Sequence, residues 1–244
     1  MQNRLALVTG GTRGIGRATS LRLAEDGWDL VLGYARDEHA AAATRSEAEA
    51  LGATCSTVRA DLTTDAGIDE LFDAAMSRTG RIDAVVNNAG ATLRISGLAE
   101  TSPRTIRRVI DLNLTSAVLV ARRAVQHLSS GGVLVNVSSG AATTGAPGEY
   151  VHYAAAKAGV DALTKGLAIE VAPRGIRVVG VAPGTVDTQV HADAGDPGRP
   201  GRVASTHPMG RVGRPEEIAS VIAFALSADA GYVAGTTIRA AGGV

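Results

Sequence analysis

The chain has 244 residues, with 24 Lys and Arg against 24 Asp and Glu, five His and a single Cys. That balance provides no overall field to recruit nucleic acid or an anionic membrane, one cysteine excludes an intrachain disulfide, and no apolar run approaches the roughly 20 residues of a membrane span. The length suits one large α/β domain spanning 1–244, no linker divides it, and the amino terminus enters a strand at once, so a cytoplasmic chain without a leader is expected.

Leu5 to Val8 is a continuous apolar run, as in a central parallel strand covered on both faces. It leads into Thr9-Gly10-Gly11-Thr12-Arg13-Gly14-Ile15-Gly16, after which Ala18, Leu21 and Ala24 keep a helical period up to Gly27. Strand, glycine-rich turn and helix together let the backbone approach a pyrophosphate, with the free N–H groups of the helix start directed at it. Asp29 to Tyr34 is the second strand. Beyond such a strand an acidic residue grips a ribose 2′-hydroxyl, whereas an arginine accommodates a 2′-phosphate. Here Arg36 follows, with Arg13 in the glycine turn, so NADP(H) is expected over NAD(H); Asp37 would repel the phosphate if the register moved by one. An Ala-rich helix from Glu38 to Leu51 precedes a third strand ending at Ala60, with Cys55 read as a buried thiol. Asp61-Leu62 comes next. Ile68, Leu71, Phe72, Ala75 and Met76 mark an amphipathic helix, and a fourth strand, Arg81 to Val86, delivers Asn87-Asn88-Ala89-Gly90.

Ser102-Pro103 reads as a helix start, a cap residue followed by proline, and the apolar stripe from Ile106 to Leu128 reads as one helix. Asn113 falls on that stripe and needs partners, since a buried unpaired amide costs about 1 to 3 kcal/mol. Val133 to Val137 is a buried strand that brings Ser139 to its carboxyl end, where open α/β sheets hold ligands. Tyr153 and Lys157 are four apart in an Ala-rich run, so a helix stacks them on one face. A cation about 4 Å from a phenol is worth roughly 4 kcal/mol at an effective dielectric near 20, enough to carry a pKa of about 10 toward neutrality, where acid–base catalysis works best. The helix runs on to about Ala172. Gly175 to Val181 is the sixth strand, followed by Pro183-Gly184-Thr185-Val186-Asp187-Thr188. From 189 to 213 Gly and Pro break any long helix, leaving a surface segment read as a substrate lid, with His191, Arg202, His207 and Met209 as candidate contacts. Pro215 to Leu226 is the last helix and Thr236 to Arg239 the seventh strand. Seven strands alternating with helices require a doubly wound parallel sheet.

Thr9-Gly10-x-x-x-Gly14-Ile15-Gly16, Asn87-Asn88-Ala89-Gly90, Ser139 and Tyr153-x-x-x-Lys157 together resemble the short-chain dehydrogenase/reductase family over essentially the whole chain. The resemblance implies Rossmann strand order and a homotetramer, or a homodimer, built through the helix of Tyr153 and its predecessor. It implies that Gly10, Thr12, Arg13, Gly14, Ile15 and Gly16 cradle the dinucleotide, that Asp61 accepts from the adenine amino group under cover of Leu62, and that Asn88, Ala89 and Gly90 pass close to the cofactor. Pro183 and Gly184 lead to Val186, whose backbone would hold the nicotinamide carboxamide, and to Thr188, which would bind a phosphate.

The activity expected is reversible hydride transfer between nicotinamide and a carbonyl or secondary alcohol. Tyr153 would move the proton, Ser139 bind the reacting oxygen, Lys157 acidify Tyr153 and hold the ribose, and Asn113 relay protons to water. No metal is required. The alternative is a 3-oxoacyl carrier protein reductase, whose carrier dock is usually basic before the fifth strand; His127 to Gly132 is not, although Arg122, Arg123 and Arg174 remain. Gly148 to Tyr153 and the Gly-Pro-rich lid look more like sugar or polyol dehydrogenases. A non-catalytic NADP-binding regulator would usually have lost the tyrosine or lysine kept here, and an epimerase of the extended type would need a further domain.

Overall fold

The computed structural model describes residues 4–244. Seven strands, β1 (Leu5–Val8), β2 (Asp29–Tyr34), β3 (Cys55–Arg59), β4 (Ile82–Asn87), β5 (Leu128–Val137), β6 (Arg177–Pro183) and β7 (Thr237–Ala240), form one all-parallel sheet. Their order is β3-β2-β1-β4-β5-β6-β7. The connections carry helices α1 (Gly14–Glu25), α2 (Glu38–Ala50), α3 (Asp65–Thr79), α4 (Pro103–Ile110), α5 (Ser116–His127), α6 (Ala141–Thr144), α7 (Val151–Val171), α8 (Val190–Asp193), α9 (Arg199–Ala204) and α10 (Pro215–Leu226). Among the described residues no helix is long and apolar enough to cross a membrane.

The continuous apolar strands divide their side chains between two cores, because successive residues of a strand point to opposite faces. Ala6 and Val8 of β1 join Leu30, Leu32, Val86 and Val135 beneath α1 and α10, where Leu23, Ile218 and Ile222 meet them. Leu5 and Leu7 join Val31, Val85 and Leu134 beneath α3, α5 and α7, with Phe72 at the centre. Both faces are therefore covered, as a parallel sheet requires. Cys55 lies in the first core, and burial pushes its thiol up to about 11, so it is inert at neutral pH.

Two elements differ from the sequence reading. The stripe from Ile106 to Leu128 is two α-helices joined by a π-helical turn at Asp111–Thr115, which inserts one residue into the ladder around Asn113. β5 begins at Leu128 rather than Val133, its first part held by a single pairing of Leu128 with Ile82 before the register shifts. As expected, the segment from 189 to 213 holds no long helix, only the short α8 and α9; Pro200 in the first turn of α9 needs no N–H there.

Candidate active site

At β1 and β4 the chain's crossovers leave in opposite directions, which opens a crevice beyond the strands' carboxyl ends. A cleft of about 610 Å³ occupies it. Its first wall is the turn after β1. Thr9 is fully buried, and its hydroxyl accepts from the N–H groups of Asn88 (2.9 Å) and Ala89 (3.0 Å). The Asn88 amide returns bonds to the carbonyls of Thr9 (3.0 Å) and Gly10 (3.2 Å), so the turn after β4 braces the turn after β1. A methyl group on Gly16 would run into the Gly10 carbonyl and come within 2.6 Å of the Asn88 amide; one on Gly14, whose φ is 51°, would touch Thr188 at 3.3 Å. No side chain caps α1 at Arg13, so the first-turn N–H groups near Thr12, Ile15 and Gly16 face the cleft without a side-chain partner. This cradle fits a pyrophosphate.

The next wall is the end of β2. Arg36 lines the cleft and has no hydrogen-bond or ion-pair partner among the described residues. Asp37 is engaged as the N-cap of α2, its carboxylate accepting from Ala40 N–H at 2.9 Å. Arg13 lines the cleft too, but its guanidinium reaches across to Gln189 (2.6 Å) and Asp193 (2.9 Å). Two expected cofactor contacts are not brought to the cleft wall. The Asp61 carboxylate closes a local turn, accepting from the Thr63 N–H (3.0 Å) and hydroxyl (2.7 Å), bonds that hold it below the usual carboxylate range, and Leu62 packs into the core beside Leu71 and Phe72. The short Asp-x-Thr spacing engages one carboxylate oxygen, Oδ1, locally.

Ser139, Tyr153 and Lys157 converge on the cleft at the end of β5. The Ser139 hydroxyl lies on the Tyr153 side of the cleft, where it pulls the phenol's pKa down, and it accepts from Ala141 N–H at 3.1 Å. Ser138, its neighbour, instead donates to the Lys157 carbonyl at 3.3 Å and is buried. Lys157 is 4% exposed; its ammonium donates to the Val137 carbonyl at 2.9 Å and lies 5.7 Å from the centre of the Tyr153 ring. Here the expectation of a phenol near neutrality is corrected. Burial pushes Tyr153 above its ordinary value, only Ser139 and Arg199 pull against it, and burial brings Lys157 itself down to about 8 despite nearby Asp161. Helical spacing aligns the two side chains, but the same close packing removes the water that would stabilise either charge.

Asn113 is fully buried behind the cleft rather than on its wall. Its amide donates to the carbonyls of Ala91 (2.8 Å) and Val109 (2.9 Å), and its oxygen accepts from Ala91 N–H at 3.1 Å. A methyl group on Gly90 would sit 2.5 Å from that oxygen and 3.4 Å from the Lys157 nitrogen, so all three meet at one point. Beneath them Asn87, whose amide donates to Ala117 O and to the Asn136 side chain (both 3.0 Å), ties β4 to α5 and β5, and Asn136 passes the chain on to Thr164 of α7.

Pro183, Gly184, Val186 and Thr188 form the third wall. Gly140 N–H donates to the Pro183 carbonyl at 2.7 Å, and Val186 is held by a parallel bridge to Gly213. His191 faces the cleft, its Nε2 2.9 Å from the Val186 carbonyl, and burial lowers its pKa. His207 also lines the cleft, whereas Met209 is exposed and Arg202 is paired outside with Asp196. The sequence reading missed Arg199. This residue of the same segment is 7% exposed and bonds Glu149, Tyr150 and Thr185 at the cleft. Its only sequence signal is the following proline, which marks a helix start.

A doubly wound parallel sheet whose switch-point cleft combines a glycine cradle with a serine, tyrosine and lysine defines a class of dinucleotide-dependent oxidoreductases. The chain belongs to the short-chain dehydrogenase/reductase family of oxidoreductases: the family model described as enoyl-(acyl carrier protein) reductase matches residues 10–244. It is 42% identical over 244 residues to the uncharacterized oxidoreductase YgfF of Escherichia coli (strain K12), covering 98% of this chain and 99% of that protein. It is 39% identical over 248 residues to 3beta-hydroxysteroid dehydrogenase 1 of Eggerthella lenta, covering 100% and 94%. Among solved structures, a short chain dehydrogenase from Burkholderia cenocepacia J2315 in complex with NADP superposes with a TM-score of 0.93 at 31% identity, covering 99% of this chain and 98% of that one.

Proposed function

We propose that this chain is an NADP(H)-dependent oxidoreductase that interconverts a carbonyl compound and its secondary alcohol, with ketones, sugars or polyols as the favoured substrates. The observation that carries the reading is the convergence of Ser139, Tyr153 and Lys157 on a cleft whose opposite wall is the glycine cradle. When bound, the nicotinamide supplies or accepts a hydride. The chain's own residues do the rest. The Tyr153 phenol gives its proton to the substrate oxygen during reduction and takes it back during oxidation. Ser139 orients that oxygen through its hydroxyl, which lines the cleft beside Tyr153. Lys157, with Asn113 behind it, holds the ribose and passes a replacement proton toward water. The cradle from Gly10 to Gly16 holds the pyrophosphate, with Thr188 close to Gly14.

Arg36 supports NADP(H) over NAD(H), because it is a cation lining the cleft with no hydrogen-bond or ion-pair partner among the described residues, while Asp37 is already engaged as a helix cap. The segment from 189 to 213 acts as a substrate lid: it contributes His191, Arg199 and His207 to the cleft. The similar steroid dehydrogenase of Eggerthella lenta agrees with secondary-alcohol chemistry, and the family-model description keeps acyl thioesters as a second substrate class. The test is a spectrophotometric screen of ketones, sugars, steroids, quinones and acyl thioesters with NADPH and NADH. Oxidation of NADPH by a ketone or sugar at least about tenfold faster than NADH is the expected result; a tenfold preference for NADH, or consumption with acyl thioesters alone, contradicts the reading.

A further inference from the structure

Arg199 begins α9, in a segment that is largely exposed, yet its side chain is buried. A guanidinium out of water is tolerated only when its donors are matched. Here they are. Nε and Nη2 grip the two oxygens of Glu149 at 3.0 and 2.6 Å, Nη2 also donates to the Tyr150 hydroxyl at 2.7 Å, and Nη1 donates to the Thr185 hydroxyl at 3.2 Å. The guanidinium carbon lies 5.3 Å from the centre of the Tyr150 ring. Tyr150 in turn meets Tyr153 edge to face, ring centres 5.4 Å apart at 87°. The Glu149 carbonyl accepts from Ser96 N–H at 2.7 Å, which brings the loop after β4 into the same knot. One lid side chain thus fastens two other segments of the cleft, with the loop after β4 joined through the Glu149 backbone, and the ring it grips is the one packed on the Tyr153 phenol.

We propose that Arg199 is a positioning residue that couples closure of the lid to the orientation and acidity of Tyr153. The inference rests on the reading of Tyr153 as the acid–base group. The groups that face Tyr153 are Ser139 from the end of β5, Lys157 on its own helix, Tyr150 with Glu149 from the turn before α7, and Arg199 from the lid, which has Asp196 on its far side. The Tyr150 hydroxyl is already engaged, accepting from Arg199 Nη2 at 2.7 Å. Of the lid's groups, only Arg199 favours the Tyr153 phenolate. With the lid open, Tyr153 loses that charge and its ring loses the fixed edge it packs on, so the phenol is less acidic and less well placed. With the lid closed over substrate both are restored, and proton transfer is confined to the covered site.

The experiment compares wild type with Arg199→Met, which removes charge and fork, Arg199→Lys, which keeps the charge alone, and Glu149→Gln. Hydrogen exchange of the 190–204 amides and an ultraviolet titration of the tyrosines, both in the dinucleotide-free protein, need no substrate. Arg199→Met is expected to speed exchange in 199–204, to move the Tyr153 titration and the matching limb of the kcat profile toward alkali, and to lower kcat about 10- to 100-fold with a smaller change in KM. Arg199→Lys is expected to leave the titration near wild type while losing part of kcat. A folded Arg199→Met with wild-type exchange and an unmoved limb overturns the proposal, as does an Arg199→Lys limb displaced as far as that of Arg199→Met. If Arg199→Met fails to fold, Glu149→Gln decides: unchanged exchange in 199–204 overturns the tether. Faster exchange alongside a Tyr153→Phe variant of normal activity leaves the tether standing and removes only the assigned role of Tyr153.

Discussion

Lys157 lies one turn beyond Tyr153 on α7, yet its ammonium donates to the Val137 carbonyl at 2.9 Å and stands 5.7 Å from the centre of the Tyr153 ring. The cation fastens α7 to the end of β5 and carries its charge in a nearly dry site. Of the two, the lysine is the group whose titration reaches down to about 8, while burial holds the phenol high.

That depression of Lys157 has a consequence for stability. The lysine proton leaves near 10.5 in the unfolded chain and near 8 in the folded one. Between these values the unfolded state binds more protons, so the unfolding free energy rises with pH across the window; below about 8 the full penalty of the buried charge is present. Lys157→Met lacks this rise. Its stability relative to wild type is expected to fall by up to about 3 kcal/mol between the two ends of the window, on top of a pH-independent cost for the unpaired Val137 carbonyl. Urea unfolding of both proteins at each end checks it.

Arg36 is expected to set the choice of dinucleotide. Arg36→Ser removes a charge-assisted contact to a 2′-phosphate, worth at least about tenfold in affinity, and should leave NADH binding within about twofold. Dissociation constants for the two reduced dinucleotides, read by fluorescence, measure this. Equal losses for both would show that Arg36 does not discriminate.

Gly16→Ala should disable the cradle. The added methyl meets the Gly10 carbonyl and the Asn88 amide, neither of which can move without breaking the brace between β1 and β4. Overpacking of this kind costs about 1 to 3 kcal/mol, and dinucleotide affinity should fall with it. Thermal melts with and without NADPH separate the two effects, because only the ligand-induced rise in midpoint reports binding.

Tyr150→Phe distinguishes the two tyrosines. It keeps the ring packed on Tyr153 and removes one of the Arg199 hydrogen bonds. Stability should drop by about 1 to 3 kcal/mol, with turnover kept within about tenfold. A loss of turnover as large as that of a Tyr153 variant would contradict the assignment of the proton to Tyr153.

Much of this was legible in the sequence wherever a local pattern carries the information. The apolar runs Leu5–Val8 and Val133–Val137, the glycine turn and the Tyr153–Lys157 register are local and fixed by the geometry of strand and helix. The extra residue at Asn113 was not legible, because a π turn keeps the apolar stripe almost in phase. Arg199 was hidden for another reason: its partners Glu149 and Thr185 lie far away in the chain, and an arginine among glycines and prolines looks solvated until the fold buries it. Asp61 shows the reverse, a motif position whose carboxylate is drawn into a local turn by Thr63 two residues away. The acidity of Tyr153 escaped because burial and charge act in opposite directions there, and only the packed site reveals how far Lys157 stands from the phenol.

The most direct measurement is single-turnover oxidation of bound NADPH by a substrate found in the screen, for wild type and Tyr153→Phe, with dinucleotide affinity measured on the same samples. The expected result is a rate about 100-fold or more lower in the variant with unchanged affinity. A rate within about threefold of wild type would show that the phenol is not the proton donor.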